Sequence, residues 1–133
     1  MFDLHHNVGA LTGLSPQVIT TSAVNGSIID TLGYNTLEFV VTAGTVTDGT
    51  SYTVSLTEGD AANLAGGNAV AAGDILGTLP VFAATDDNVT KRVGYIGAKR
   101  YVRLTITPVG ATSGGTFSGV ALLGHPLVAP TAE

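Results

Sequence analysis

The sequence predicts an all-β fold, an antiparallel β-sandwich of the jelly-roll type. Three observations support this prediction: short segments rich in Val, Ile, Thr, Tyr and Phe, closely spaced turn residues between them, and almost no helix signal. The stretch 58–65 has the composition for a turn of helix, but Gly66 and Gly67 end it at once. About eight short strands in a chain of 133 residues suit two packed sheets within one domain.

Two strands show a clear alternation of apolar and polar side chains. The segments 52–57 and 101–107 carry their apolar residues at even positions, which places Arg103 on the outward face of its strand. The segment 37–41 is apolar on both faces apart from Glu38, and this favours a central strand that is covered on both sides. The other predicted strands are 17–22, 27–32, 36–42, 75–82, 91–96 and 116–123.

The two ends of the chain lack this alternation and are predicted to be extended arms. We assign a single domain to residues 1–133, with an N-terminal arm at 1–16, the sandwich at 17–124 and a C-terminal arm at 125–133. The Ser15-Pro16 pair favours a break in regular structure before the sandwich. We expect the apolar side chains of both arms to become ordered on neighbouring subunits.

Charge is distributed unevenly along the chain, although the net charge is only −5. Residues 1–90 contain nine acids and no Lys or Arg, whereas all five cations lie between residues 91 and 103. This basic run predicts one basic face on an otherwise acidic molecule. Its cations and tyrosines have the composition of an interface anchor for an acidic protein surface, either of another protein or of a sister subunit. The interface candidates are Lys91, Arg92, Tyr95, Lys99, Arg100, Tyr101 and Arg103 from this run, with Phe2, Leu4 and Leu11 from the N-terminal arm.

Two other interpretations of the basic run are open at this point. Cations interleaved with aromatic residues also suit nucleic acid, but the nine acids elsewhere would repel a polyanion, so nucleic acid is not expected as a partner. In the second interpretation the cations pair within one fold, with Asp86, Asp87 or Glu58, because exposed ion pairs of this kind are common.

No sequence feature indicates an enzyme, and we expect no catalytic residue, metal ligand or cofactor. The absence of Cys excludes a disulfide framework, a zinc-thiolate site and a Cys nucleophile. His5, His6 and His125 lie outside the predicted strands, and no hydrolase or phosphate-binding motif accompanies them. The acids at 58, 60, 86 and 87 lack the spacing of a calcium loop and are interpreted as solvated turn residues. No apolar run approaches the length of about 20 residues that a membrane span needs, and we expect neither a membrane partner nor a secretory signal.

Three segments, taken together, resemble small head proteins of tailed bacteriophages. They are 47–60, with the sequence TDGTSYTVSLTEGD, 95–103, with the sequence YIGAKRYVR, and 112–126, with the sequence TSGGTFSGVALLGHP. Their order and composition are similar to those of head decoration proteins, also called cement proteins. The resemblance covers most of residues 17–130.

This resemblance implies a structural role on the outer surface of a virion. It implies a jelly-roll sandwich that binds the major capsid protein and bridges capsid subunits as a homodimer or another homo-oligomer, and it brings no catalytic residues. A receptor- or carbohydrate-binding β-module of a phage tail or a cell surface remains the alternative, because lightly charged, Thr-rich β-proteins include adhesins. Stoichiometry separates the two classes, since a cement protein is present in many copies per particle and a tail adhesin in few.

Overall fold

The computed structural model describes residues 3–131 and confirms the all-β sandwich. Among these residues the only helices are two single-turn 3₁₀ helices, His5–Asn7 and Ala72–Asp74. No helix in the described part of the chain is long and apolar enough to cross a membrane. The strands are β1 (Val8–Ile19), β2 (Val24–Asn25), β3 (Ile29–Asp30), β4 (Tyr34–Val46), β5 (Ser51–Gly59), β6 (Asn68–Ala69), β7 (Ile75–Leu76), β8 (Val81–Phe82), β9 (Thr90–Tyr95), β10 (Tyr101–Val109) and β11 (Gly115–Pro126).

The strands form two antiparallel sheets with nested pairing. The five-stranded sheet, here called sheet A, has the order β1-β11-β4-β9-β7. The second sheet, sheet B, has the order β2-β10-β5-β6, with β3 also pairing with β10 and β8 with β5. Early strands therefore pair with late ones. β1 pairs with β11, β2 and β3 pair with β10, and β4 pairs with β9. β5, in the middle of the chain, pairs with the nearby strands β6 and β8. This arrangement is a long hairpin wrapped into two sheets, which is the jelly-roll pattern.

Apolar side chains at alternate strand positions fill the space between the two sheets. β5 and β10 bury the residues that the alternation predicted, and Leu104 at the middle of β10 is fully buried. Each buried side chain of this size contributes on the order of 1.5–3 kcal/mol relative to an exposed one. The inward residues of these two strands are Tyr52, Val54, Leu56, Val102, Leu104 and Ile106.

β4 lies at the centre of sheet A, as the segment 37–41 predicts, but it is covered on one side only. Its inward residues Leu37, Phe39 and Val41 are buried. On the outward face Val40 is half-buried between its lateral neighbours Val120 and Arg92, and no third layer of the described chain lies over it. Lateral contacts within the sheet, and not a second covering layer, explain the apolar residue at this outward position.

The N-terminal arm is shorter than the sequence predicts, because β1 begins at Val8 and pairs with β11 along most of its length. Leu14 lies within this strand and is only 1% exposed, so residues 8–16 belong to the sandwich. Two register irregularities, between Thr12 and Leu14 and between Leu14 and Gln17, break the alternation that would have revealed the strand.

The C-terminal arm also differs from its predicted extent, because β11 continues to Pro126. Beyond it, the backbone N–H of Leu127 donates to the carbonyl oxygen of Gly33 at 2.9 Å, and the hydroxyl of Thr131 donates to that of Val8 at 2.9 Å. The segment therefore folds back on its own chain. The predicted strand 75–82 is likewise divided into β7 in sheet A and β8 in sheet B, with Gly77 at a φ of 81° between them.

Candidate functional site

The basic run does not form a single basic face. β9 belongs to sheet A and β10 to sheet B, so the chain crosses between the two sheets at residues 96–100. Strand alternation then distributes the cations over the molecule: Arg92 lies on the outward face of sheet A and Arg103 on the outward face of sheet B. The prediction of one basic face is therefore wrong, because it treated two strands of different sheets as one surface.

Lys91 and Arg92 each bind an acid of the same chain. Lys91 Nζ lies 3.3 Å from Asp86 Oδ2 and also donates to the carbonyl oxygen of Val81 at 2.6 Å. Arg92 Nη1 lies 3.2 Å from Glu38 Oε1, and its side chain is 78% exposed. The ion pair between Lys91 and Asp86 is one of the internal pairs that the second interpretation of the basic run predicts.

The other cations of the run lie at or near one end of the sandwich, where both ends of the described chain also meet. We call this region the terminal end. β4, β10 and the C-terminal segment connect there to the turns that form the surface. The terminal end consists of residues 3–7, 31–33, 59–67, 96–100 and 127–131.

Lys99 and Arg100 form ion pairs across the surface of the terminal end. Lys99 Nζ lies 2.7 Å from Asp60 Oδ2, and this bond raises the pKa of Lys99. Arg100 binds Asp30 through two parallel hydrogen bonds, Nε to Oδ1 at 2.8 Å and Nη2 to Oδ2 at 2.9 Å. The guanidinium group holds the pKa of Asp30 below its usual range, and it also lies 5.0 Å from the centre of the Tyr101 ring. All four charged side chains of these two pairs are substantially exposed.

Tyr95 is a structural residue that fixes the loop carrying Lys99. Its ring is 4% exposed, and its hydroxyl donates to Glu58 Oε2 at 2.5 Å while accepting from the backbone N–H of Lys99 at 3.0 Å. Burial, together with the hydrogen bond to Glu58, raises the pKa of the Tyr95 hydroxyl. A Cβ at Gly97 would lie only 2.5 Å from Tyr95 Cζ, so the loop needs glycine there to pass over the ring.

A cleft of about 360 Å³ opens at the terminal end, between the turn 31–36, the loop 97–100 and Leu127. Leu32 and Leu127 both line it, and their side chains are 66% and 68% exposed. Such a concentration of exposed apolar side chains is typical of an interaction surface. The large apolar residues exposed at the terminal end are Leu4, Leu32, Ile96, Leu127 and Val128.

The structure brings together some of the sequence-predicted interface candidates and separates others. Leu4, Lys99 and Arg100 lie at the terminal end, and Tyr101 begins β10 directly beside it. Leu11 lies on the edge strand β1 and is 47% exposed. Arg103 also has a surface position, whereas Tyr95 is buried and Lys91 and Arg92 lie away from the terminal end. Phe2 lies outside the described residues.

Titratable groups other than these pairs form no arrangement with evident chemistry. His6 binds the carboxylate of Asp3 through Nδ1 at the exposed N-terminal turn. Between residues 3 and 131 no group of three His, Cys, Asp or Glu side chains is placed to hold a metal ion. Among the described residues, the candidate site is the exposed apolar surface around the cleft, together with the ion pairs beside it.

Sequence reasoning identified Asp86 as a partner but missed the other acids that bind the cations, and it missed part of the apolar surface. Asp30, Glu38 and Asp60 were not among the predicted partners, because each lies 39 to 70 residues from its cation. Leu32 and Ile96 occupy turns whose positions depend on which strands become neighbours. The available signal for Leu32 is its place directly before Gly33 and Tyr34, where a large apolar residue in a turn is unusual.

Comparisons with known proteins assign the chain to no family. No family model and no curated protein matches it. Among solved structures, the crystal structure of PirA is similar over 90% of this chain and 94% of that chain, with 13% sequence identity and a TM-score of 0.37.

Proposed function

We propose that this protein is a capsid decoration protein that binds the outside of a phage head and reinforces the shell by bridging capsid subunits. The observation that carries the proposal is the terminal end, where exposed apolar side chains surround a cleft between two ion-paired loops. Leucines on a surface of this kind stabilise a complex when a partner covers them.

Two of the three segments that resemble decoration proteins meet at this same region. The segment 47–60 ends at Asp60, and the segment 95–103 contains Lys99, so the Lys99–Asp60 ion pair joins the two. In the sheet, Gly59 is the register partner of Tyr101, which brings the end of β5 beside the start of β10. The resemblance and the exposed apolar surface therefore both support the proposal that the terminal end is the binding region.

A capsid-bound role needs only modest affinity at each site. A shell presents many equivalent sites, and a protein that bridges two subunits binds the second without a further loss of translational freedom. The apolar side chains supply the contact energy, and the mixed charges at the rim keep the free protein soluble.

The test compares two charge-introducing variants at opposite ends of the molecule. Leu32→Asp places a carboxylate in the proposed interface, whereas Val109→Asp places one at a site that is 51% exposed near the opposite end. Burial of a leucine contributes about 1.5–3 kcal/mol, so Leu32→Asp is expected to lower capsid affinity about ten- to hundredfold. Val109→Asp is expected to bind like wild type.

The measurement is co-sedimentation of purified protein with phage shells that lack it, followed by imaging of the decorated particles. Circular dichroism and the melting temperature establish that both variants fold. Wild-type protein that does not sediment with the shells contradicts the proposal, and so does an equal loss of binding in both variants. Binding to a glycan array without binding to shells would instead indicate the receptor-binding class.

A further inference from the structure

Arg103 is the one cation for which residues 3–131 provide no acidic partner. It lies in β10 on the outward face of sheet B, opposite Thr57 of β5. Its Nε atom is buried and has no hydrogen-bond acceptor. A buried N–H donor without an acceptor is costly and rare in folded proteins, so this atom requires an explanation.

The alternation of β5 and β10 explains why no internal acid binds Arg103. Glu58 is the nearest acid in β5, but it pairs with Val102, so its side chain points inward and binds the Tyr95 hydroxyl. Asp30 lies opposite Tyr101, two residues before Arg103 on the same face, but both of its oxygens are bound by Arg100. Neither acid reaches Arg103 without breaking a hydrogen bond that it already makes.

The surface around Arg103 is polar, and the nearest charges, those of Asp30 and Arg100 beside Tyr101, are already paired with each other. Its outward neighbours are Tyr101 and Thr105 along β10, with Ser55 and Thr57 across the sheet. These side chains are only partly exposed, and together they form a flat face of hydroxyl groups. A partner surface that covered this face would place its own polar groups beside hydroxyls, with Arg103 as the single charge to be matched.

We propose that Arg103 binds a carboxylate of a protein partner that covers the outward face of sheet B beside the terminal end. This inference rests on the proposed function, in which the partner is a shell protein. Because Nε makes no hydrogen bond in the free protein, the side chain swings outward without losing one. Its Nε and Nη2 atoms then meet both oxygens of a carboxylate, in the same geometry that Arg100 adopts with Asp30.

The charge of the surroundings favours a single carboxylate over a polyanion. Asp30 and Asp60 lie at the neighbouring terminal end, and the chain as a whole carries a net charge of −5. A phosphate polymer would meet these acids as soon as it extended beyond Arg103. An isolated Asp or Glu side chain on a protein surface avoids this repulsion.

The first experiment needs no capsid. The Nε–H resonances of the three arginines are followed by NMR as a blocked Gly-Glu-Gly peptide is added at low salt, with Gly-Gln-Gly as the neutral control and inorganic phosphate as a second anion. The Glu peptide is expected to shift the Arg103 resonance at least threefold more than those of Arg92 and Arg100. Equal shifts for the three arginines, an equal effect of the Gln peptide, or a larger effect of phosphate would overturn the proposal.

The second experiment uses shells that lack the protein and compares Arg103→Gln with Arg92→Gln. Arg92 is the matched control because it lies on the outward face of the other sheet. Arg103→Gln is expected to weaken binding at least tenfold, Arg103→Lys is expected to restore only part of it, and Arg92→Gln is expected to bind normally. If wild type binds shells and Arg103→Gln binds equally well, the role of Arg103 is excluded and the decoration function stands. If wild type does not bind shells, the decoration function fails and the peptide titration still decides whether Arg103 prefers a carboxylate.

Discussion

At the end of the sandwich opposite the terminal end, which we call the distal end, Asp48 binds three backbone N–H groups of a turn, whereas Asp30 and Asp60 beside and at the terminal end each bind a cationic side chain. Asp48 accepts hydrogen bonds from the backbone N–H groups of Thr112, Ser113 and Gly114, at 2.9 to 3.1 Å. Asp30 and Asp60 bind Arg100 and Lys99 on the exposed surface instead. The distal end comprises residues 46–51, 83–89 and 109–115.

This difference indicates which end is available to a partner. Backbone N–H groups that bind Asp48 cannot be exchanged without remodelling the turn at 112–114, because they are fixed by the chain itself. An exposed ion pair loses little when one of its members turns toward another molecule. The distal end therefore stabilises the fold, and the terminal end keeps groups that can change partners.

The two ends also differ in their aromatic and apolar side chains, because an aromatic cluster packs beneath the distal end whereas Leu127 lies on the surface of the terminal end. Phe117 lies against Tyr52 and Phe82, with ring centres 4.7 and 5.3 Å away, and all three rings are fully buried towards the distal end. The tyrosine hydroxyl donates to the carbonyl oxygen of Asp48 at 2.7 Å, which connects the aromatic cluster to the turn above it. Leu127 at the terminal end has no comparable cover, since its side chain is 68% exposed.

The largest effect is expected from Phe117→Ala, which removes the ring at the centre of this cluster. Truncation of a buried phenylalanine lowers the free energy of unfolding by about 3–5 kcal/mol, because it removes contacts and leaves a cavity. Leu127→Ala is the matched change at the terminal end, and it should stay within about 0.5 kcal/mol of wild type. Urea denaturation followed by circular dichroism measures both. Similar losses in the two variants would show that the fold holds Leu127 as firmly as Phe117, and that Leu127 is not available to a partner.

The fold was predictable where burial leaves a regular pattern in the sequence. The alternation in 52–57 and 101–107 identified the buried faces of β5 and β10, because a strand between water and a core must alternate. Only the last part of β1 was predicted, as a strand at 17–22, because Gly13 and two register irregularities interrupt the pattern of residues 8–16. Pairing with β11 determines this strand, and pairing between distant segments leaves no local signal.

The candidate site was predictable in its residue types but not in its arrangement. The sequence identified the cations of 91–103 as interface candidates and Asp86 as an acid that could pair with them, yet it did not identify Asp30, Glu38 and Asp60 or the separation of Arg92 from Arg103. Both depend on the change of sheet between β9 and β10, which places consecutive strands in different layers. The outward position of Arg103 can be predicted from strand alternation alone. Its lack of an acidic partner cannot, because it depends on the register of β5 and β10, which points the Glu58 side chain inward.

An intermediate effect is expected from Asp48→Asn, and it depends on pH. The three backbone N–H groups hold the pKa of Asp48 below its usual value of 3.8. A carboxyl whose pKa is lowered by folding stabilises the protein above the pKa of the unfolded chain, and this stabilisation is lost as the pH falls through the lower, folded value. Wild type should therefore melt at a higher temperature than Asp48→Asn near neutral pH, and the difference should shrink in acid.

Asp60→Asn is the control for this pH dependence, since the side chain of Asp60 binds Lys99 on the surface and is 77% exposed. Melting temperatures are measured from pH 7 down to pH 2. Asp48→Asn should melt at a lower temperature than Asp60→Asn near neutral pH, and the two melting temperatures should converge in acid. A difference between Asp48→Asn and wild type that does not change with pH would mean that the carboxylate charge does not stabilise the turn.

The smallest effect on stability is expected from Arg100→Gln, which removes the bidentate ion pair of the terminal end. Both partners are 45% exposed. Hydration of the separated charges therefore replaces most of the interaction energy of the pair, and the melting temperature should stay close to that of wild type. The pKa of Asp30 should respond more clearly. Arg100 lowers this pKa in the folded protein, so its removal should raise the pKa toward 3.8. The carboxyl carbon shift of Asp30, followed by NMR during an acid titration, measures this change directly. A loss of stability as large as that of Asp48→Asn would show that the terminal end is as fixed as the distal end, and that its ion pairs are not free to exchange with a partner.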